Sequence, residues 1–164
     1  MCMKTERAIF ASGCFWGTQY HFDTHDGVLN TTVGYTGGTV ENPTYEQVCA
    51  GETGHREAIE IEFNPEVTNY ENLAKLFFET HDFSQIGGQG PDIGEQYTSA
   101  IFYTSDEQRD VAEKLIEQLK ADGHSVTTQV LPVEPFYPAE EKHQKYYEKT
   151  GGAPYCHVYV KRFS

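Results

Sequence analysis

Hydrophobic and polar positions alternate most strictly over residues 57–63, EAIEIEF. A period of two predicts a strand with Glu57, Ile59, Ile61 and Phe63 on one face and Ala58, Glu60 and Glu62 on the other. Glu57 thus shares an otherwise apolar face. ERAIFAS, residues 6–12, reads as a second short strand that runs into GCFWG, and the residues after it form a helix up to Asp26, stopped by Gly27. Leu29 to Tyr35 is a weaker strand. The period then changes to that of a helix. Thr68-x-x-Glu71 is a capping box, and Tyr70, Leu73, Ala74, Phe77 and Phe78 form the apolar stripe behind it. Ser105-x-x-Gln108 opens another helix, which carries Val111, Ala112, Leu115, Ile116 and Leu119 and closes at Gly123. Tyr97 to Tyr103 and Ser125 to Val130 read as strands, and Pro138 fits the first turn of a final helix running to about Lys149. The order of elements predicts an α+β fold: a two-layer sandwich with a mixed sheet, helices mainly on one face, long loops and an irregular C-terminal tail.

The 164 residues suit a single domain, 1–164, with no internal repeat or low-complexity linker. Twelve Lys and Arg against 25 Asp and Glu give a net charge of −13, which argues against nucleic acid or an anionic membrane as partner and favours peptides or proteins. The first residues, MCMKTERAIFASG, have too little apolar length for a signal peptide, and no stretch approaches the ~18 apolar residues of a membrane span. The expectation is a cytoplasmic monomer. Cys2, Cys14, Cys49 and Cys156 are scattered without a CxxC pair, so they predict buried or reactive thiols rather than a zinc site or a disulfide framework.

Candidate chemistry starts at Cys14. A thiol reacts as thiolate, and the start of a helix stabilises that anion through its free N–H groups and dipole. Gly13 and Gly17 allow close approach of a substrate, while Phe15 and Trp16 can wall a small apolar pocket. The competing reading makes Cys14 a small buried residue at a strand-to-helix corner. Glu57, desolvated on an apolar face, would keep its proton near neutral pH and so suit a general acid; the competing reading starts the strand later and leaves Glu57 at its edge in solvent. Tyr45, Asp92 and Tyr97 flank glycine loops and could complete a polar pocket. Cys156 lies in a Gly/Pro-flanked tail from which it could reach another thiol, or be only a surface cysteine of a frayed end. His21 and His25 stand four apart, but HFDTH lacks a zinc protease's glutamate and a third ligand, so no metal is expected. Cys49 reads as a packed thiol, and His55 as a loop organiser or a contact of the site.

The motifs GCFWG, GYTGG, NPTYEQVCAGETGHREAIEIEFNP, PDIGEQYTSAIF and EPFYPAEEKHQKYY occur in that order. With them the chain resembles the A type of the peptide methionine sulfoxide reductases over nearly its whole length. The resemblance implies Cys14 as nucleophile, Phe15 and Trp16 as the methyl-binding wall, Glu57 as acid, Tyr45, Asp92 and Tyr97 as hydrogen-bonding residues on the oxygen side, and Cys156 as resolving cysteine. It implies reduction of methionine-S-sulfoxide in proteins and peptides, a thioredoxin-like reductant, and no cofactor. HVYVKRFS after Cys156 holds no further cysteine, which implies a short relay. Two rivals remain at this level: a cysteine hydrolase using Cys14 with His55, and a non-catalytic module that binds oxidised peptides.

Overall fold

The computed structural model describes residues 5–13, 15–51, 53–89, 92–150 and 162–163. Cys14, Cys156 and, apart from residues 162–163, the C-terminal tail expected to be irregular lie outside them. In chain order the elements are β1 (Glu6–Ser12), α1 (Phe15–Asp23), β2 (Val28–Thr36), α2 (Tyr45–Cys49), β3 (Arg56–Phe63), α3 (Tyr70–Glu79), β4 (Gly88–Gln89), β5 (Asp92–Ile93), β6 (Ser99–Tyr103), α4 (Asp106–Ala121), β7 (Gln129–Pro132), β8 (Phe136–Pro138) and α5 (Tyr146–Thr150). Short 3₁₀ turns at Glu95–Tyr97 and Glu141–His143 complete the order.

Six strands form one sheet in the order β7-β6-β1-β3-β2-β8, antiparallel except for the β6–β7 pair. The sheet is mixed, as the order of elements predicts. The alternation in β3 sets its faces. Ile59, Ile61 and Phe63 join Ala8, Phe10, Val33, Tyr35 and Ile101 beneath Phe22 of α1, Phe77 and Phe78 of α3, and Leu115 and Leu119 of α4. Phe10 lies at the centre, with ring centroids 5.7 Å from Phe22 and 5.0 Å from Phe77. The opposite face holds the smaller cluster Ile9, Ala11, Ala58, Ala100 and Phe102, covered by Leu131 and Phe136. Helices therefore load one face, and the layers are held by burial of apolar area.

Several local expectations shift. α3 is capped by Asn69, whose side chain accepts from the Asn72 amide at 2.7 Å, while the Thr68 hydroxyl meets His25 Nε2 instead. The Asn side chain offers the same acceptor one residue later. Ser105 caps α4 as predicted, and Gly123, with φ 92°, closes it. α1 stops at Asp23, short of Asp26, and Gly27 takes its φ of 90° in the turn into β2. Tyr97 ends a 3₁₀ turn rather than starting a strand. The strand expected at 125–130 lies at 129–132, because Thr127 donates its amide to Phe83 O at 2.7 Å before the chain reaches β6.

The largest correction is at Pro138, which ends β8 instead of opening a helix. The final helical stretch is split into the turn at Glu141–His143 and α5. Proline fits an edge strand, and Gly34 of β2 lets the backbone of Tyr137 come close. Both outer strands, β7 and β8, are short and end in proline.

Candidate active site

β1 ends at the corner that carries Gly13, which has φ 94°. A Cβ there would lie 2.6 Å from Gln89 Cβ, so only glycine fits this left-handed, tightly packed position. α1 starts two residues on, at Phe15, immediately after Cys14 in the chain.

Glu57 lies under this corner, in the register position opposite Tyr35. It is 2% exposed. Its Oε1 accepts the backbone N–H of Phe15 at 3.3 Å, and its Oε2 has no hydrogen-bond partner among the described residues. Burial pushes its pKa up to about 8; Asp92 adds to the rise, while the Phe15 amide and the Tyr97 hydroxyl work against it. Burial wins because an ionised carboxylate leaves more hydration behind than two donors replace. A protonated Glu57 at neutral pH is a donor held one residue from Cys14, as the alternation in β3 predicts.

Tyr45 and Tyr97 flank the acid. Tyr45 is the first residue of α2, which opens with a capping box: the Thr44 hydroxyl accepts from the Gln47 amide at 3.2 Å, and the Gln47 side chain accepts from the Thr44 amide at 2.9 Å. Tyr97 ends the 3₁₀ turn that follows β5. Both hydroxyls hold their protons far above the usual tyrosine range, first through burial and then through Glu57 and Cys49. Asp92, half-buried in β5, faces Glu57 closely enough to raise its pKa.

The aromatic pair divides into two environments. Phe15 is 1% exposed and packs on Tyr35, Tyr45 and His143. Trp16 is half-buried, stacks on Tyr146 with ring centroids 3.8 Å apart, and donates from Nε1 to His143 Nδ1 at 3.2 Å. Phe15 is thus fully enclosed, while Trp16 stays partly open to solvent.

Four residues of the site escaped the sequence reading. Cys49, which the sequence predicts as a packed thiol, ends α2 with its Sγ 3.9 Å from the Tyr97 hydroxyl. Tyr35, fully buried, donates its hydroxyl to Glu140 Oε1 at 3.0 Å. Glu140 Oε2 also accepts the Tyr45 amide at 3.3 Å; burial alone would raise the pKa of Glu140, but the amides and hydroxyl that it accepts from lower it. His143 stacks on Tyr45 with centroids 4.2 Å apart. Thr44-x-x-Gln47 was the available signal for α2, the same box that marks α4. Glu140 and His143 were hidden by the expectation of one continuous helix from Pro138.

Other candidates are placed away from the chemistry. His55 is held at both nitrogens, with Nδ1 accepting the Gly38 amide at 3.0 Å and Nε2 meeting Val40 O at 2.7 Å. With its acceptor nitrogen occupied it offers no base for a hydrolase. His25 meets Thr68, and His21 packs edge-on against Tyr20. No helix of the described residues is long and apolar enough to cross a membrane.

Comparison with known proteins gives consistent results. A family model described as peptide methionine sulfoxide reductase matches residues 6–164. A peptide methionine sulfoxide reductase MsrA of Nautilia profundicola is 47% identical over 154 residues, covering 94% of this chain and 88% of that protein. Among solved structures, reduced Mxr1 from Saccharomyces cerevisiae superposes with a TM-score of 0.89 at 32% identity, covering 95% of this chain and 92% of that one. A further Mxr1 structure, in complex with Trx2, has the same fold, with a TM-score of 0.65 at 23% identity, covering 95% of this chain and 90% of that one.

Proposed function

The chain belongs to the peptide methionine sulfoxide reductase family and is an oxidoreductase of that activity, and we propose that Cys14 and Glu57 are its nucleophile and acid. Sulfoxide sulfur is electrophilic, but its oxygen leaves only as it gains a proton, so thiolate and acid must act together. Cys14 attacks the sulfur while Glu57 delivers its proton to the oxygen, with Tyr45 and Tyr97 as further donors to that oxygen. The oxygen passes to Cys14, which is oxidised to the sulfenic acid, and the thioether of methionine leaves reduced. Phe15 and Trp16 hold the S-methyl group, and the preference for the S epimer is carried over from the family resemblance. Asp92 keeps Glu57 protonated by raising the cost of a second charge.

Cys156 then attacks the sulfenic sulfur, a water departs, and a Cys14–Cys156 disulfide forms. A dithiol protein reduces it by exchange. Mxr1 is seen with Trx2, and a thioredoxin-like partner is the corresponding proposal for this chain. Oxidised proteins and peptides are the proposed substrates, in the reducing cytoplasm, where scattered cysteines stay thiols.

The observation that carries this reading is the buried Glu57, hydrogen-bonded to the amide that follows Cys14 and with a second carboxyl oxygen that no described residue bonds. The test mixes reduced protein with each epimer of a methionine sulfoxide peptide and counts thiols lost per methionine formed. Two thiols per methionine with the S epimer is the expected result. Methionine formed at the normal single-turnover rate by Cys14→Ser would overturn the assignment. Cys156→Ser should complete one turnover and lose thioredoxin-driven cycling; unimpaired cycling would transfer the resolving role to another thiol.

A further inference from the structure

Beyond Cys156 the chain returns to the helix layer. Glu79, the last residue of α3, is 8% exposed, and its Oε2 accepts two consecutive backbone amides, from Arg162 at 2.9 Å and Phe163 at 3.4 Å. A carboxylate leaves water only where donors replace its hydration, and hydrogen bonds to a charged group are the stronger kind. The side chains add to the hold. The Phe163 ring meets Phe78 edge-on with centroids 6.3 Å apart, Lys75 Nζ lies 5.8 Å from the Phe163 centroid, and the Arg162 guanidinium lies 5.3 Å from that of Phe83. Residues 162–163 are thus docked on the end of α3 by main chain and side chains together.

The dock stands beside the corner that carries Cys14. Three residues after Glu79, Asp82 exchanges two hydrogen bonds with the Gln89 side chain, its amide donating to Oε1 at 2.7 Å and its carbonyl accepting from Nε2 at 2.8 Å. Gln89 is the residue packed against Gly13. From the other direction, α5 is held to α1 by the stack of Tyr146 on Trp16. Cys156 follows Thr150, the last residue of α5, by six positions and precedes Arg162 by six. Six residues reach at most about 20 Å.

We infer that Glu79 is a positioning residue for the resolving step: by docking Arg162 and Phe163 it fixes the chain after Cys156 and raises the effective concentration of that thiol at Cys14. The inference rests on the proposed resolving role of Cys156. In that step the Cys156 sulfur displaces the hydroxyl of the Cys14 sulfenic acid. An S–S bond forms, the S–O bond breaks, and the hydroxyl leaves as water with the proton of the Cys156 thiol. A thiol on one tether explores more volume than a thiol held from both sides, so it meets its target less often once a tether is cut. Attack on the sulfoxide does not involve the dock.

Rapid-quench single turnovers with a methionine sulfoxide peptide separate the two steps: methionine released reads the first, and the second thiol lost reads the disulfide. Glu79→Ala should release methionine at the wild-type rate and lose the second thiol roughly 3- to 10-fold more slowly, because the tether at α5 remains. A 1,3-dione present during the turnover should trap more Cys14 sulfenic acid in this variant. Glu79→Gln keeps an oxygen for the two amides and should recover most of the rate. Phe163→Ala, which leaves α3 intact, should slow the same step, and adding it to Glu79→Ala should slow it little further. Circular dichroism and a thermal melt establish that each variant is folded. A folded Glu79→Ala that loses its second thiol at the wild-type rate overturns the inference, as does one in which both steps slow alike, or a Glu79→Gln no faster than Glu79→Ala. Cys156→Ser tells the two claims apart. If it stops loss of the second thiol while Glu79→Ala leaves that loss unchanged, only the role of the dock fails. If Cys156→Ser loses a second thiol at the normal rate, the resolving assignment fails and takes the role of Glu79 with it.

Discussion

Glu57 carries its proton at neutral pH because the fold offers its charge too little in exchange for water. With a pKa raised to about 8, the single-turnover rate should fall as pH rises through that value. Glu57→Gln should be slower by roughly 10²-fold or more and lack this descending limb; stopped-flow measurement of methionine formation reads both. The same group shapes stability. Unfolded, it titrates near 4.5, and folded near 8. Between those values the native state retains a proton that the unfolded chain releases, so the native state loses stability as pH rises across this window. Melting curves of Glu57→Gln should be flatter there, with a higher Tm than the wild type at pH 9. Glu57 was legible in sequence because period-two alternation states which face a residue occupies. The thiol of Cys49 was not, because one of its two hydroxyl neighbours, Tyr97, comes from 48 positions away.

Short elements carry the site, and their end chemistry decides whether they form. α2 has five residues and depends on its capping box to hold Tyr45 and Cys49 on one side, four positions apart. Thr44→Ala should remove about 1 kcal/mol of local support and lower kcat/KM several-fold, and Thr44→Ser should restore it. Equal activity in all three proteins would separate the cap from the site. Long amphipathic helices such as α3 and α4 announced themselves through apolar stripes, even where the cap moved by one residue. The segment after Pro138 did not. Proline is as compatible with an edge strand as with a first helical turn, and only pairing with Gly34 of β2 decides between them.

At the scale of the molecule, the sheet brings together residues scattered from Gly13 to Tyr146. β1 and β3 lie at its centre and deliver the corner and the acid, and β8 returns the chain across β2 so that Glu140 and His143 reach the site. Gly34→Ala tests that return. Its added methyl would meet the backbone of Tyr137 and lie 2.8 Å from the Phe136 ring. The variant should keep the central strands, lower the Tm, and lose more activity than its loss of stability explains at 25 °C. Unchanged activity in a folded Gly34→Ala protein would show that β8 does not hold the aromatic wall. The strand order could not be read from periodicity, which assigns faces but not neighbours.

The two short margins of the sheet, each finishing in proline, have a bearing on the company this protein keeps. Oxidation loosens proteins, and loosened chains expose backbone that seeks a neighbouring ribbon to zip onto. Here such a chain finds four residues on one side, three on the other, and a missing N–H at each end. Edges this short, each finished by proline, offer such a ribbon little backbone to pair with.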